Sequence, residues 1–108
     1  MQGNRVILVG YVGRDVSAKT TVKGIKRVTI RVATHFKVKN PQGEHAVNTV
    51  WHNVVAWDKV AGFAEKCFVK GSRILVEGFL EYSTFFDATG QVRHHTNVRA
   101  QRFMNLDR

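Results

Sequence analysis

The stretch Val50-Trp51-His52-Asn53-Val54-Val55-Ala56-Trp57 decides how the rest of the chain reads. It alternates with the two-residue period of a β-strand. Trp51, Asn53 and Val55 therefore share one face, and His52, Val54 and Ala56 share the other. Trp57 falls on the face of Trp51, about 20 Å further along at the usual strand rise. Both tryptophans of the chain thus stand on one side of one strand. Rings placed in this way can be core. They can equally be a surface on which flat ligands stack.

The period changes directly after this strand. Val60, Phe63, Ala64 and Cys67 recur at i, i+3, i+4 and i+7, which predicts a helix over Asp58 to Cys67. Asp58 is the expected N-cap and Gly71 the expected stop, with Cys67 packed inside as a small apolar group. Before the strand, Lys37 to His45 reads as a hairpin loop, with Asn40-Pro41 and Gln42-Gly43 as turn signals. Phe36 sits at the base of that loop, and Lys37 and Lys39 lie within it. Ile25 to Phe36 alternates cleanly: Val28, Ile30 and Val32 take one face, while Arg27, Thr29 and Arg31 take the other. Arg31 therefore emerges on the solvent face or on a groove.

Asn4 to Val12 is apolar on both faces, as a central strand is, and is interrupted by Gly10 and Gly13. Such glycines mark the bends that small barrels need at their corners. Ser17 to Gly24 is a polar hairpin segment. Downstream, Ser72 to Leu80 is a strand that Glu81 to Phe86 continues as a ribbon. Asp87 to Gly90 is a turn, and Gln91 to Met104 returns as the last strand. Three strands, one helix and two strands joined by a long hairpin give an all-β class with one helix. That order matches a five-stranded Greek-key OB-fold barrel with a long β-hairpin extension, in a single domain over residues 1–108.

The chain carries 17 lysines and arginines against 8 acidic residues, a net charge of +9 with a pI near 10.3. Residues 1–54 hold nine basic and two acidic side chains, so the positive field is weighted to the first half. Such an excess favours polyanionic partners. Nucleic acid fits better than an anionic membrane surface, because no basic amphipathic helix is present. No stretch has the character of a signal peptide or a membrane span. The single cysteine, Cys67, excludes an intrachain disulfide and agrees with a reducing compartment. His94-His95, His35 and His45 follow no metal-site spacing, so no metal or other cofactor is expected. Acids are sparse and scattered, which argues against an enzyme such as an OB-fold nuclease. Aromatic rings on a strand within a positive field suit single-stranded nucleic acid.

Five stretches carry a resemblance to a known family. They are Asn-Arg-Val-Ile-Leu-Val-Gly-Tyr-Val-Gly-Arg-Asp at 4–15, Ala-Thr at 33–34, Trp-His-Asn-Val-Val at 51–55, Lys-Gly-Ser-Arg-Ile-Leu-Val-Glu-Gly at 70–78 and Phe-Asp-Ala-Thr-Gly-Gln at 86–91. In order and spacing the chain resembles the DNA-binding domain of the bacterial single-stranded DNA-binding proteins over nearly its whole length. The resemblance implies sequence-tolerant binding of single-stranded DNA during replication, recombination and repair, in the cytoplasm at the nucleoid. It implies base stacking on Trp51, Trp57 and Phe85, with a further ring near the loop base. Phe36 lies closest to that position, although counting back from Gly43 lands on Lys37. Arg5, Lys59 and Lys70 match basic positions of the family; with Arg31, Lys37 and Lys39 they form the expected phosphate contacts.

The family usually assembles as a homotetramer, and His52 matches a histidine at its subunit contacts. Two departures stand out. The ribbon Glu81-Tyr82-Ser83-Thr84-Phe85 carries an acid and hydroxyls where the family often has basic residues. The family's linker and acidic tip do not follow Phe103 to Arg108, so recruitment of replication and repair proteins through that tip is not expected. A shortened form and a naturally tailless member read alike. The alternative function is that of primosomal replication protein N, an OB accessory protein of replication restart that is typically a dimer. Retention of Trp51, Trp57 and Phe85 together favours the first reading.

Overall fold

A computed structural model describes residues 3–107. The elements are β1 (Val6–Val12), β2 (Ser17–Thr20), β3 (Lys26–Lys39), β4 (His45–Trp57), α1 (Asp58–Cys67), β5 (Arg73–Phe86) and β6 (Val92–Asn105). β1 pairs with β5, β5 with β6, β6 with β4 and β4 with β3. β3 pairs back to β1 through Tyr11↔Ala33 and Val12↔Val32, which closes the barrel. The β4–β6 pairing is the parallel one, over Val54↔Val98 and Val55↔Arg99. β2 continues the course of β1 along the far edge of β3, so the barrel has five walls although the chain forms six strands.

Alternation fills this barrel. Val28, Ile30 and Val32 of β3 meet Val54 and Ala56 of β4 inside, with Ile74, Val76 and Val98, all fully or almost fully buried. α1 closes one end of the barrel. Ala61 and Ala64 are fully buried, and Phe68 beyond the helix packs edge-on against Phe103 with ring centroids 5.6 Å apart. Gly10 is where β1 passes from β5 to β3. A Cβ there would lie 2.1 Å from the Ala33 carbonyl oxygen, so only glycine permits this crossing.

Several local expectations are corrected. Ser17 to Gly24 is not only a turn, since its first four residues pair with β3 as β2. The loop expected over Lys37 to His45 shrinks to residues 40–44, because pairing continues through Lys39↔His45. The Asn40 side-chain oxygen accepts from the backbone N–H groups of Gln42 and Glu44 and makes the tight turn, with Gly43 at φ 83°. Lys37 and Lys39 therefore stand on a strand rather than in a loop. α1 has the expected bounds, but Asp58 does not cap it. Trp57 is the flanking residue, no side chain caps the helix, and Asp58 itself is left-handed at φ 57°. The helix stops at Phe68, whose N–H reaches the Ala64 carbonyl. Gly71 instead turns the chain into β5. Cys67 is half-buried against the core rather than enclosed.

Candidate nucleic-acid interface

The pairs Arg27↔Trp57, Thr29↔Val55, Arg31↔Asn53 and Ala33↔Trp51 lie opposite one another on β3 and β4. Opposite residues share a face. Since Val28, Ile30, Val54 and Ala56 turn inward, this set turns outward. Both tryptophans are thus on the outside of the barrel, as their alternation requires, and Trp51 is 50% exposed. Arginines serve both rings. The Arg31 guanidinium stands 5.6 Å from the Trp51 centroid, and those of Arg27 and Arg99 stand 5.7 and 5.8 Å from that of Trp57. Each such contact is worth about 0.5–1 kcal/mol at an exposed site, and it holds a cation beside an open ring. Trp51 also leans back across the sheet: a Cβ on Gly13 would lie 2.2 Å from its Cζ3.

The face continues on to the second arm. Asn53 donates from Nδ2 to Oδ1 of the buried Asn97 on β6, at 2.7 Å. Asn97 lies opposite Glu81, His95 opposite Ser83, and Arg99 opposite Phe79, which carries the same face along β5 to Phe85. Phe85 is 41% exposed and stacks on His95, with centroids 4.6 Å apart and planes 18° apart. Glu81, the acid on the ribbon, accepts from Arg99 Nη1 at 3.0 Å, so its charge is answered locally.

The other expected residues scatter. Phe36 pairs with Asn48, out of phase with Ala33 and Trp51, so it lies on the opposite face of the β3–β4 arm. Phe36, expected as a further ring near the loop base, is thus off the tryptophan face, which Lys37 and Lys39 share. Arg5 pairs with Glu77 at 3.4 Å, near the opposite end of β1 from Tyr11. Lys59 lines a depression beside α1 with Phe63 and Arg102, adjoining the one lined by Trp57, Phe79 and Arg99. Lys70 is exposed at the turn into β5, where its backbone N–H donates to Asp15. His52 faces away from Trp51, with Nε2 2.8 Å from the Thr34 hydroxyl. Partial burial lowers its pKa from the ordinary value, and the nearby Arg31 charge adds to the effect.

Sequence reasoning passed over Arg27, Arg14, Lys19 and Arg99 as site residues. Arg27 shares the alternating run of Arg31 and was within its reach. Arg14 and Lys19 join Arg27, Asp15, Ser17 and Thr29 only in three dimensions, around a depression of about 310 Å³. Among the described residues no three His, Cys, Asp or Glu side chains come together as a metal site would need. No described helix is long and apolar enough to cross a membrane.

A closed five-walled barrel with its helix between the third and fourth walls defines an OB-fold protein, a class whose outer strand face and loops bind oligonucleotides and oligosaccharides. Comparison with known proteins narrows the class. The profile of the single-strand binding protein family matches residues 3–106, and the chain belongs to that family. A single-stranded DNA-binding protein of Xanthomonas campestris pv. campestris is 33% identical over 103 residues, which are 95% of this chain and 60% of that protein. One of Rickettsia typhi is 35% identical over 102 residues, 93% of this chain and 67% of that protein. The chain thus spans about two thirds or less of these relatives' lengths. Among solved structures, a Plasmodium falciparum single-stranded DNA-binding protein in complex with single-stranded DNA superposes with a TM-score of 0.88 at 25% identity, covering 99% of this chain and 97% of that one. A deletion variant of the Thermus aquaticus single-stranded DNA-binding protein shares the fold, with a TM-score of 0.85 at 23% identity over 96% of this chain and 50% of that one.

Proposed function

We propose that this protein binds single-stranded DNA without sequence preference and protects it during replication, recombination and repair. The observation that carries this reading is the single outward face bearing Trp51, Trp57 and Phe85, with Arg31 on the first ring and Arg27 and Arg99 on the second. Every base has a π-face, so rings of this kind accept any sequence, at about 1–3 kcal/mol per stacked base. Arginine and lysine charges along the same face, Lys37 and Lys39 among them, follow the phosphates. Arg5, Lys59 and Lys70 meet phosphates only where the strand leaves that face, and Phe36 meets a base only on the far side of the arm. The protein acts by binding and is not an enzyme, needs no cofactor, and works in the cytoplasm at the nucleoid. The partner is the strand itself. His52 lies at a contact between copies in a homotetramer, with a dimer as the alternative assembly.

The test is tryptophan fluorescence during titration with oligo-dT at low and high salt, with copy number read by native mass spectrometry. Strong quenching, with affinity falling as salt rises and four copies per assembly, is the expected result. Binding with unchanged fluorescence would place the tryptophans outside the contact and favour an accessory role in replication restart.

A further inference from the structure

We infer that Tyr11 is a further base seat, served by Arg73, so that a bound strand crosses β3 from Trp51 on to β1. This rests on the single-stranded DNA reading above and extends its path. The carrying observation is a row across four strands. Arg73 of β5 lies opposite Tyr11 of β1, Tyr11 opposite Ala33 of β3, and Ala33 opposite Trp51 of β4. Opposite partners share a face, so Tyr11 opens on to the same side of the sheet as Trp51. The two strands that carry the rings are separated by one strand, about 10 Å in all. The side chain between the rings is only a methyl group: Ala33 is 5% exposed and forms a shallow floor. Gly13 draws the Trp51 ring towards β1, which narrows the gap further.

The chemistry repeats as well as the position. Tyr11 is 43% exposed, and the Arg73 guanidinium stands 5.8 Å from its ring centroid, the same pairing that Trp51 and Trp57 make. His35 tilts against it, with centroids 6.1 Å apart. Every arginine–aromatic pair among the described residues lies on this one strip: Arg73 with Tyr11, Arg31 with Trp51, and Arg27 and Arg99 with Trp57. Among the described residues the Arg73 side chain forms no ion pair with an acid, so its charge is free for a phosphate. Ile7 and Val9 are also exposed on β1, which makes a contact with a second copy the competing use of this edge. A cation beside an open ring suits a nucleotide better than an apolar interface.

The experiment measures oligo-dT affinity against oligonucleotide length for the native protein, Tyr11→Phe, Tyr11→Leu and Arg73→Gln, with tryptophan quenching and native mass recorded for each. The expected result for Tyr11→Leu is a loss on the order of tenfold on long oligonucleotides and none on those too short to reach past Trp51. Its tryptophan quenching and copy number stay native, and Tyr11→Phe behaves as native. Arg73→Gln lowers the slope of affinity against salt by about one phosphate contact. Equal affinity of Tyr11→Leu and native protein at every length overturns the proposal. So does a drop in copy number in Tyr11→Leu, which assigns Tyr11 to a subunit contact. Failure of the underlying reading looks different: the native protein itself then shows no quenching.

Discussion

Replacing Gly13 by alanine isolates what holds Trp51 in place. The new Cβ would lie 2.2 Å from Cζ3 and 2.7 Å from Cη2 of the Trp51 ring. Carbon atoms rest at about 3.5–4.0 Å, so the ring must retreat by more than about 1 Å. The obstructed atoms are the far end of an exposed side chain, and the ring can swing without moving the barrel. The stability change is therefore small, within about 1 kcal/mol, as for most surface substitutions. The contact that suffers is the seat: the ring leaves its position beside Arg31, now 5.6 Å from its centroid. One stacked base is worth about 1–3 kcal/mol, so affinity for oligo-dT should fall roughly 5- to 150-fold. The assay is fluorescence titration of Gly13→Ala beside native protein and Trp51→Ala, with a thermal melt of each. Gly13→Ala should melt like native protein and bind nearly as weakly as Trp51→Ala. Native affinity and native quenching in Gly13→Ala would refute the reasoning, because the ring position would then not matter to binding.

Gly10→Ala is the contrasting case, because its Cβ would meet the Ala33 carbonyl of the neighbouring strand at 2.1 Å. Backbone cannot swing aside, so a loss of about 1–3 kcal/mol or more is expected in urea unfolding, and a native midpoint would count against the close crossing. Asn97→Ala removes the acceptor of the Asn53 side-chain N–H at a part-buried position. It should cost about 1–3 kcal/mol in the same assay and loosen the β5–β6 arm, read as faster amide exchange at Phe85; unchanged exchange there would break the proposed link between the two arms. The lowered pKa of His52, from burial first and the Arg31 charge second, means that the folded state favours the neutral ring. The unfolded chain then binds more protons below the ordinary value of 6.5, so stability is full above that pH and falls as pH drops from it towards the folded value. Melting temperature should decline over that window in the native protein and decline less in His52→Gln; parallel declines would dismiss the residue as the source.

Much of the barrel was legible because its periods are local. Val28, Ile30 and Val32 against Arg27, Thr29 and Arg31 state which way β3 faces, and they are buried and half-buried as that pattern requires. The switch to a helical period at Asp58 placed α1 to the residue. The loop at Lys37 was misjudged because charged residues on an arm that leaves the barrel look like loop residues. The composition carries no sign that Lys37 and Lys39 are paired with Val47 and His45. The same misjudged loop left the choice between Phe36 and Lys37 open, since the count from Gly43 depends on where pairing ends.

What the sequence determined unaided is how residues divide between the faces of β3 and β4, with Trp51 and Trp57 on one side and His52 and Val54 on the other, and a positive charge weighted to the first half. Tertiary structure alone decided which faces join. The crossing of β1 from β5 to β3 sets Tyr11 and Gly13 beside Trp51. The parallel pairing of β4 with β6 brings Asn97 to Asn53 across 44 positions of sequence, and Arg99 to Trp57. A two-residue period fixes where a side chain points relative to its own strand. It holds no information about which strand becomes the neighbour, and that choice falls to barrel closure and to the burial of the whole core.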